Sequence, residues 1–196
     1  MQTPKNNSAQ LLIVSGPAGS GKTTLCEGLL RTETQLERVI TTTTRPPRGT
    51  EVDGVDYHFL AVEAFEARIT AGDFYEYARV HGNLYGTQKK PIQEKLDAGI
   101  NLLLNIDVQG AASFRAVATK EPLLAGRITT IFIMPLKLDV LKERLEGRGT
   151  DSEAEMQRRL EVAKSEIQAA EYYDHILQSS SRESDLAALQ LIYRSL

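Results

Sequence analysis

The stretch Gly16–Thr23 reads GPAGSGKT and meets the pattern G-x-x-x-x-G-K-[ST] at every fixed position. It follows an apolar run, QLLIVSG, and precedes an amphipathic segment, the strand-to-helix setting in which such a loop holds phosphate. Glycines let the backbone wrap closely around phosphate oxygens, and the helix N-terminus adds partial positive charge. Lys22 is placed to reach the outer phosphates of a nucleoside triphosphate, and the Thr23 hydroxyl is a candidate ligand for Mg²⁺. Gly16, Pro17, Ala18, Gly19, Ser20, Gly21 and Thr24 complete the candidate triphosphate-binding stretch. A plain glycine-rich turn is the competing reading, and the flanking elements weigh against it. Hydrolases, switches, motors and kinases all use this cradle, so it leaves the reaction open.

A second candidate is TRPPRGTEVDGVDYHF, Thr44 to Phe59. Pro46, Pro47, Gly49 and Gly54 break any regular period there. Arg45, Arg48 and Tyr57 offer two planar cationic forks and a phenol, which suit a second, smaller phosphate facing the first. Arginines on a solvated loop fit the same composition. Asp107, at the end of the apolar run LLLNID, either helps organise a metal's water shell or is simply a polar strand end. Cys26, one turn into the helix after the cradle, reads as a small core residue.

These residues need a frame. QLLIVSG and INLLLNID read as buried strands, and ERVITTTT, FYEYARV, RITTIFIM and DHILQ as further strands. Helices are predicted from about Lys22 to Leu30, near Glu63 to Ala71, between Pro91 and Gly99, and from about Ala111 to Lys120. Leu138, Leu141 and Leu145 mark another, Met156, Leu160, Ala163 and Ile167 a longer one, and Leu186, Leu189, Tyr193 and Leu196 the last. Alternation of strand and helix at this spacing predicts an α/β domain with a mainly parallel sheet. The segment from about Val39 to Ile92 interrupts the alternation and reads as an inserted subdomain.

The composition is that of an ordinary globular protein: 196 residues, 41% hydrophobic, 25% charged, with a net charge of −3. That balance argues against wholesale binding to nucleic acid or anionic membranes. A single cysteine excludes an intrachain disulfide and suits a reducing cytoplasm. The polar start, MQTPKNNSAQ, is unlike a signal peptide, and no apolar run is long enough to span a bilayer. His58, His81 and His175 lie far apart, without metal-ligand spacing.

GPAGSGKTTL, TTTTRPPRGTEVDGVDYHF, EYARVHGNLYGT, NIDVQGA and RLEGRGTDSEAEMQRRL, in this order, resemble guanylate kinase from about Leu11 to Gln178. The second and third blocks carry the specificity, since other P-loop nucleoside monophosphate kinases share only the cradle and a lid. The resemblance implies a three-layer fold of the P-loop NTPase type with a mainly parallel sheet, an inserted mixed α/β GMP-binding subdomain and a short helical lid. It divides the chain into a polar tail at 1–9, a core at 10–38 and 93–196, an insertion at about 39–92 and a lid at about 138–160. It also implies transfer of the γ-phosphoryl group of ATP, with Mg²⁺, to GMP and dGMP, in cytoplasmic purine nucleotide metabolism; whether the chain is a monomer or a weak homodimer the sequence leaves undetermined. On the same ground Arg45, Arg48, Tyr57 and Tyr85 match positions that bind the GMP phosphate. Glu76, Thr87 and Thr41 match those that recognise guanine, and Asp107 an acidic residue close to the acceptor.

The strand period of FYEYARV puts Glu76 on the face of Phe74, Ala78 and Val80, among apolar neighbours. A carboxylate there needs a partner. Guanine's ring N–H and amino group match it side by side, whereas adenine presents a bare acceptor; a salt bridge to an arginine is the other reading. Threonine hydroxyls are candidates to donate to the guanine carbonyl. Arg144 and Arg148 share a helical face, Gly147 and Gly149 offer hinges, and Arg159 borders the next apolar stripe while Arg158 points away. Lys22, Arg45, Arg144, Arg148 and Arg159 are therefore the candidate catalytic cations, with solvated helix faces the alternative for the last three. Three residues depart from the family pattern: Asn105 stands where an acidic residue is usual, Thr41 where serine is commoner, and Gln178 where asparagine is common near the adenine pocket. A non-enzymatic module of this fold would generally lack the cradle, and a kinase for another phosphorylated acceptor is disfavoured by Glu76 with Thr87.

Overall fold

The computed structural model describes residues 8–80, 82–136 and 153–196. Its first elements are β1 (Leu11–Ser15), α1 (Lys22–Thr32), β2 (Leu36–Arg38), β3 (Thr42–Thr43), β4 (His58–Phe59) and α2 (Val62–Thr70). There follow β5 (Phe74–Val80), β6 (Asn83–Gln88), α3 (Lys89–Asp97), β7 (Asn101–Asn105), α4 (Val108–Ala118) and β8 (Ile128–Met134). The last are α5 (Glu153–Gln168), β9 (His175–Gln178) and α6 (Arg182–Ser195).

All five residues of β1 are buried, because the strand lies in the middle of a five-stranded parallel sheet ordered β2-β7-β1-β8-β9. Both faces of such a sheet are covered, which is why its strands read as unbroken apolar runs. Leu11, Ile13, Leu102, Leu104 and Phe132 pack on one face against Ile92 and Leu96 of α3 and Ala111 and Phe114 of α4. Leu12, Val14, Leu103, Ile131 and Ile133 pack on the other against Leu25, Cys26 and Leu29 of α1 and Leu189 of α6. The period-2 alternation of side chains thus produces a three-layer α/β fold. Among the described residues no helix is long and apolar enough to cross a membrane.

A second sheet, ordered β4-β3-β6-β5, is mixed: β3 pairs parallel with β4, and β6 pairs antiparallel with both β3 and β5. The run ERVITTTT, expected as one strand, is therefore two. β2 joins the large sheet, and the chain then crosses to the small sheet as β3. α3 begins at Lys89, two residues before Pro91. Proline is tolerated there because the first N–H groups of a helix have no intrahelical partner. β6 carries no apolar alternation; Gly86 sits within it because a Cβ would come 2.9 Å from the Phe74 ring and 3.0 Å from that of Phe65.

The small sheet meets the main core through Tyr75 of β5, whose ring lies 4.8 Å from that of Phe114 on α4. This contact is possible because the β5–β6 pairing slips between Phe74 and Glu76. The bulge corrects the expected strand face. Phe74 stacks on Phe65 of α2 at 4.5 Å, Tyr75 turns into the main core, and Glu76 shares its side with Ala78 and Val80 but not with Phe74. The helix expected at Leu138, Leu141 and Leu145, the glycines Gly147 and Gly149, and Arg144 and Arg148 lie outside the described residues. Arg159 falls within α5, and its side chain is likewise outside them.

Candidate active site: two cavities at the ends of the parallel strands

The loop between β1 and α1 turns through glycines with positive φ: Gly16 (146°), Gly19 (83°) and Gly21 (91°). A Cβ on Gly16 would lie 2.6 Å from the Ile133 carbonyl oxygen, so backbone approach itself demands glycine there. α1 starts at Lys22 with no side-chain cap and no acidic residue in its first turn, whereas Ser181 caps α6 and Asp107 caps α4. Uncapped N–H groups at a helix start are an anion site. Lys22 Nζ donates to the carbonyls of Gly16 at 2.6 Å and Pro17 at 3.0 Å. The cavity beside the loop, about 560 Å³, is lined by Ala18 to Leu25 and by Ser179, Ser180, Arg182 and Asp185. The last four lie where β9 leads into α6 and were not singled out in the sequence.

Asp185 is buried and accepts from the Ser179 hydroxyl (2.8 Å), the Ser180 N–H (2.8 Å) and the Ser180 hydroxyl (3.1 Å). It therefore fixes the wall of this cavity. Gln178 is not part of that wall; it is exposed, and its amide donates to the Pro135 carbonyl at 3.3 Å. One residue of strand phase separates it from Ser179.

The second cavity, about 230 Å³, brings together Thr41, Tyr57, Glu76, Tyr85, Asn105 and Asp107. Thr87 is wholly buried and reaches the site through Glu76, to which its hydroxyl donates at 2.5 Å. Its proton is thus committed to the carboxylate. No ion pair to Glu76 occurs among the described residues, so the salt-bridge reading fails there. Burial raises the Glu76 pKa, the Thr87 hydrogen bond opposes that rise, and the Asp107 charge adds to it.

Arg45 is only 6% exposed and is held rather than free. Its guanidinium forms two hydrogen bonds of 2.9 Å to Glu51 and one to the Pro46 carbonyl at 2.8 Å, and it stands 5.4 Å over the Tyr57 ring. The Glu51 hydrogen bonds push the Arg45 pKa up further, and Arg45 in turn holds the Glu51 carboxyl below the usual carboxylate range. Glu51 also accepts from the Arg48 N–H at 2.7 Å, while the Arg48 side chain is exposed and does not line the cavity. The sequence signal for Glu51 was present, an acid six residues after one arginine and three after the other, but its partner was not legible.

Asp107 has a local structural role as well as a place at the site. Its carboxylate accepts from the Gly110 N–H at 2.7 Å, capping α4, and faces the second cavity. The side chain next to Thr23 is Asn105, whose Nδ2 lies 3.4 Å from Thr23 Oγ1. Glu166 of α5, half-buried and also unmarked in the sequence, is in electrostatic reach of Lys22 and Asp107. Burial raises its pKa, Lys22 opposes the rise and Asp107 adds to it.

A parallel sheet between two helical layers, with a phosphate cradle at the end of its central strand and a second cavity beside it, defines a P-loop fold with two adjoining sites. A solved shikimate kinase from Bacteroides thetaiotaomicron shares that fold alone, with a TM-score of 0.53 at 17% identity over 94% of this chain and 98% of its own. The family profile described as guanylate kinase matches residues 8–196, and by that match the chain belongs to the guanylate kinase family. The guanylate kinase of Thiobacillus denitrificans is 40% identical over 99% of this chain and 90% of its own length. That of Clostridioides difficile is 42% identical over 85% and 78%. The crystal structure of guanylate kinase from Anaplasma phagocytophilum matches with a TM-score of 0.73 at 29% identity, covering 97% of this chain and 87% of that one.

Proposed function

We propose that this chain transfers the γ-phosphoryl group of ATP to GMP, giving ADP and GDP, with the loop between β1 and α1 as donor site and the cavity under β5 and β6 as acceptor site. Glu76 carries the reading. It is a half-buried carboxylate, oriented by Thr87, with one oxygen engaged and the other facing a cavity that also holds Thr41 and Asp107. A ring N–H and an amino group side by side, as on guanine, complement it, and a donor from the base repays the cost of keeping the carboxylate charged. Thr41 remains to donate to the guanine carbonyl, because the Thr87 hydroxyl already serves Glu76.

Arg45, Tyr57 and Tyr85 cluster beside that cavity as the anchor for the GMP phosphate, and Arg48 joins from the loop rim. Glu51 holds the Arg45 fork in place before substrate arrives. Gly16 to Thr24 bind the phosphates of ATP, with Lys22 released from its two carbonyl partners to the β- and γ-phosphates. On the family resemblance Arg144, Arg148 and Arg159 act with Lys22 and Arg45 to neutralise the migrating group. In-line transfer asks little covalent chemistry of a protein, so placement and charge carry the catalysis.

The exposed Thr23 hydroxyl is a hard oxygen donor beside the cradle, and it fits Mg²⁺. Bound there, Mg²⁺ would neutralise phosphate charge. The proposed contacts grip base and phosphate and leave the sugar alone, which supports dGMP as a second acceptor. The core at 10–38 and 93–196, the insertion at about 39–92 and the lid at about 138–160 are taken as the working units of a cytoplasmic monomer or weak homodimer. A coupled ADP-release assay with Mg²⁺–ATP and GMP, dGMP, AMP, UMP, CMP or dTMP tests the proposal. Turnover is expected with GMP and dGMP and at least ~10³-fold less with the others; no GMP-dependent turnover would contradict it.

A further inference from the structure

β7 runs parallel to β1 with Asn105 opposite Val14, so the end of β7 delivers position 105 to the start of the cradle. P-loop proteins commonly hold the nucleotide's cation between the loop Ser or Thr and an aspartate at a strand end. Here the strand-end side chain beside the Thr23 hydroxyl is the neutral amide of Asn105, with its Nδ2 at 3.4 Å. The next acid along the chain, Asp107, caps α4 through the Gly110 N–H at 2.7 Å and lines the acceptor cavity, and Glu166 of α5 lies in electrostatic reach of Lys22, so position 105 is the neutral member of an otherwise acidic surround.

An amide and a carboxylate at this place act oppositely on a phosphate chain. A carboxylate attracts a divalent cation and accepts hydrogen bonds from its water shell, but repels phosphates when no cation is present. An amide adds no negative charge in either situation and still offers a donor. We propose that Asn105 loosens the dependence of ATP binding on divalent cation in this chain, leaving the loop N–H groups and Lys22 to grip the phosphates. The proposal rests on the donor-site reading above.

Isothermal titration of the full chain with ATP, once with Mg²⁺ and once with EDTA, yields the dissociation constant in EDTA divided by that with Mg²⁺, without any turnover. Asn105→Asp, nearly identical in shape, is expected to raise that ratio about tenfold, the order expected for one added charge near the phosphates. Asn105→Ala, which stays neutral, is expected to keep the ratio within about twofold of the unsubstituted protein. An unmoved ratio in Asn105→Asp, or an equal rise in both variants, overturns the inference while leaving the donor site standing. Failure of the unsubstituted protein to bind ATP in either buffer overturns the donor-site reading and the inference with it.

Discussion

Replacing Glu76 by glutamine separates recognition from stability. The substituted side chain would keep the volume and still accept from Thr87 through its carbonyl oxygen, which turns the amide NH₂ toward the cavity. The guanine ring N–H then meets a donor. One charge-assisted hydrogen bond is lost and one buried donor is left unmet, together roughly 3–4 kcal/mol, or about 10²–10³-fold in kcat/KM for GMP. The free protein responds the other way. The pKa of Glu76 in the folded chain is raised, mainly by burial, so folding favours its neutral form. That contribution is fully present below the unfolded pKa, about 4.3 for Glu, and is lost as pH rises through the folded value. A glutamine mimics the neutral form, so Glu76→Gln should melt higher than the unsubstituted protein at pH 7, with the gap closing near pH 4. Steady-state kinetics with GMP and thermal melts at both pH values check the two halves. A kcat/KM within about threefold of the original, or a gap in Tm independent of pH, would refute the reasoning.

Lys22→Ala should lower kcat at least ~10²-fold while the Tm stays close to that of the unsubstituted protein, because Lys22 is half-buried and donates to carbonyls of the loop itself. Arg45→Lys cannot reproduce the paired bonds to Glu51 and should raise the KM for GMP by ~10-fold or more, with ATP binding by titration unchanged. Gly16→Ala brings a Cβ to 2.6 Å from the Ile133 carbonyl at a φ of 146°, and should cost about 2–4 kcal/mol in urea unfolding. Cys26 is buried, and burial pushes its thiol up to about 12. At pH 8 it should react with a disulfide reagent at least ~10²-fold more slowly in the folded than in the unfolded protein.

The cradle was legible because its demand on the backbone is written directly as glycine spacing, with an apolar strand before it. The strands of the large sheet were legible because burial on both faces leaves continuous runs such as LLIV and LLL. What escaped depends on pairing across the chain. β6 shows no apolar period, and its Gly86 makes sense only once Phe65 and Phe74 are seen above it. The bulge at Phe74 and Glu76 is a register event, so the period-2 reading put Phe74 on the wrong side. Asp107 reads as a free strand-end acid until α4 is found to start one residue later. Glu51 and Asp185 hold other groups in place, and such roles are visible only with their partners in view. Gln178 and Ser179 differ by one residue, which in a strand is the difference between two faces.

A crystal structure of the full chain with GMP and a non-hydrolysable ATP analogue tests the two-site geometry most directly. The expected result places the guanine against Glu76, the GMP phosphate against Arg45, Tyr57 and Tyr85, and the analogue's phosphates in the loop from Gly16 to Thr24, with the two phosphate groups facing each other. GMP bound away from the β5–β6 cavity, or the two nucleotides held with their phosphates apart, would contradict the account.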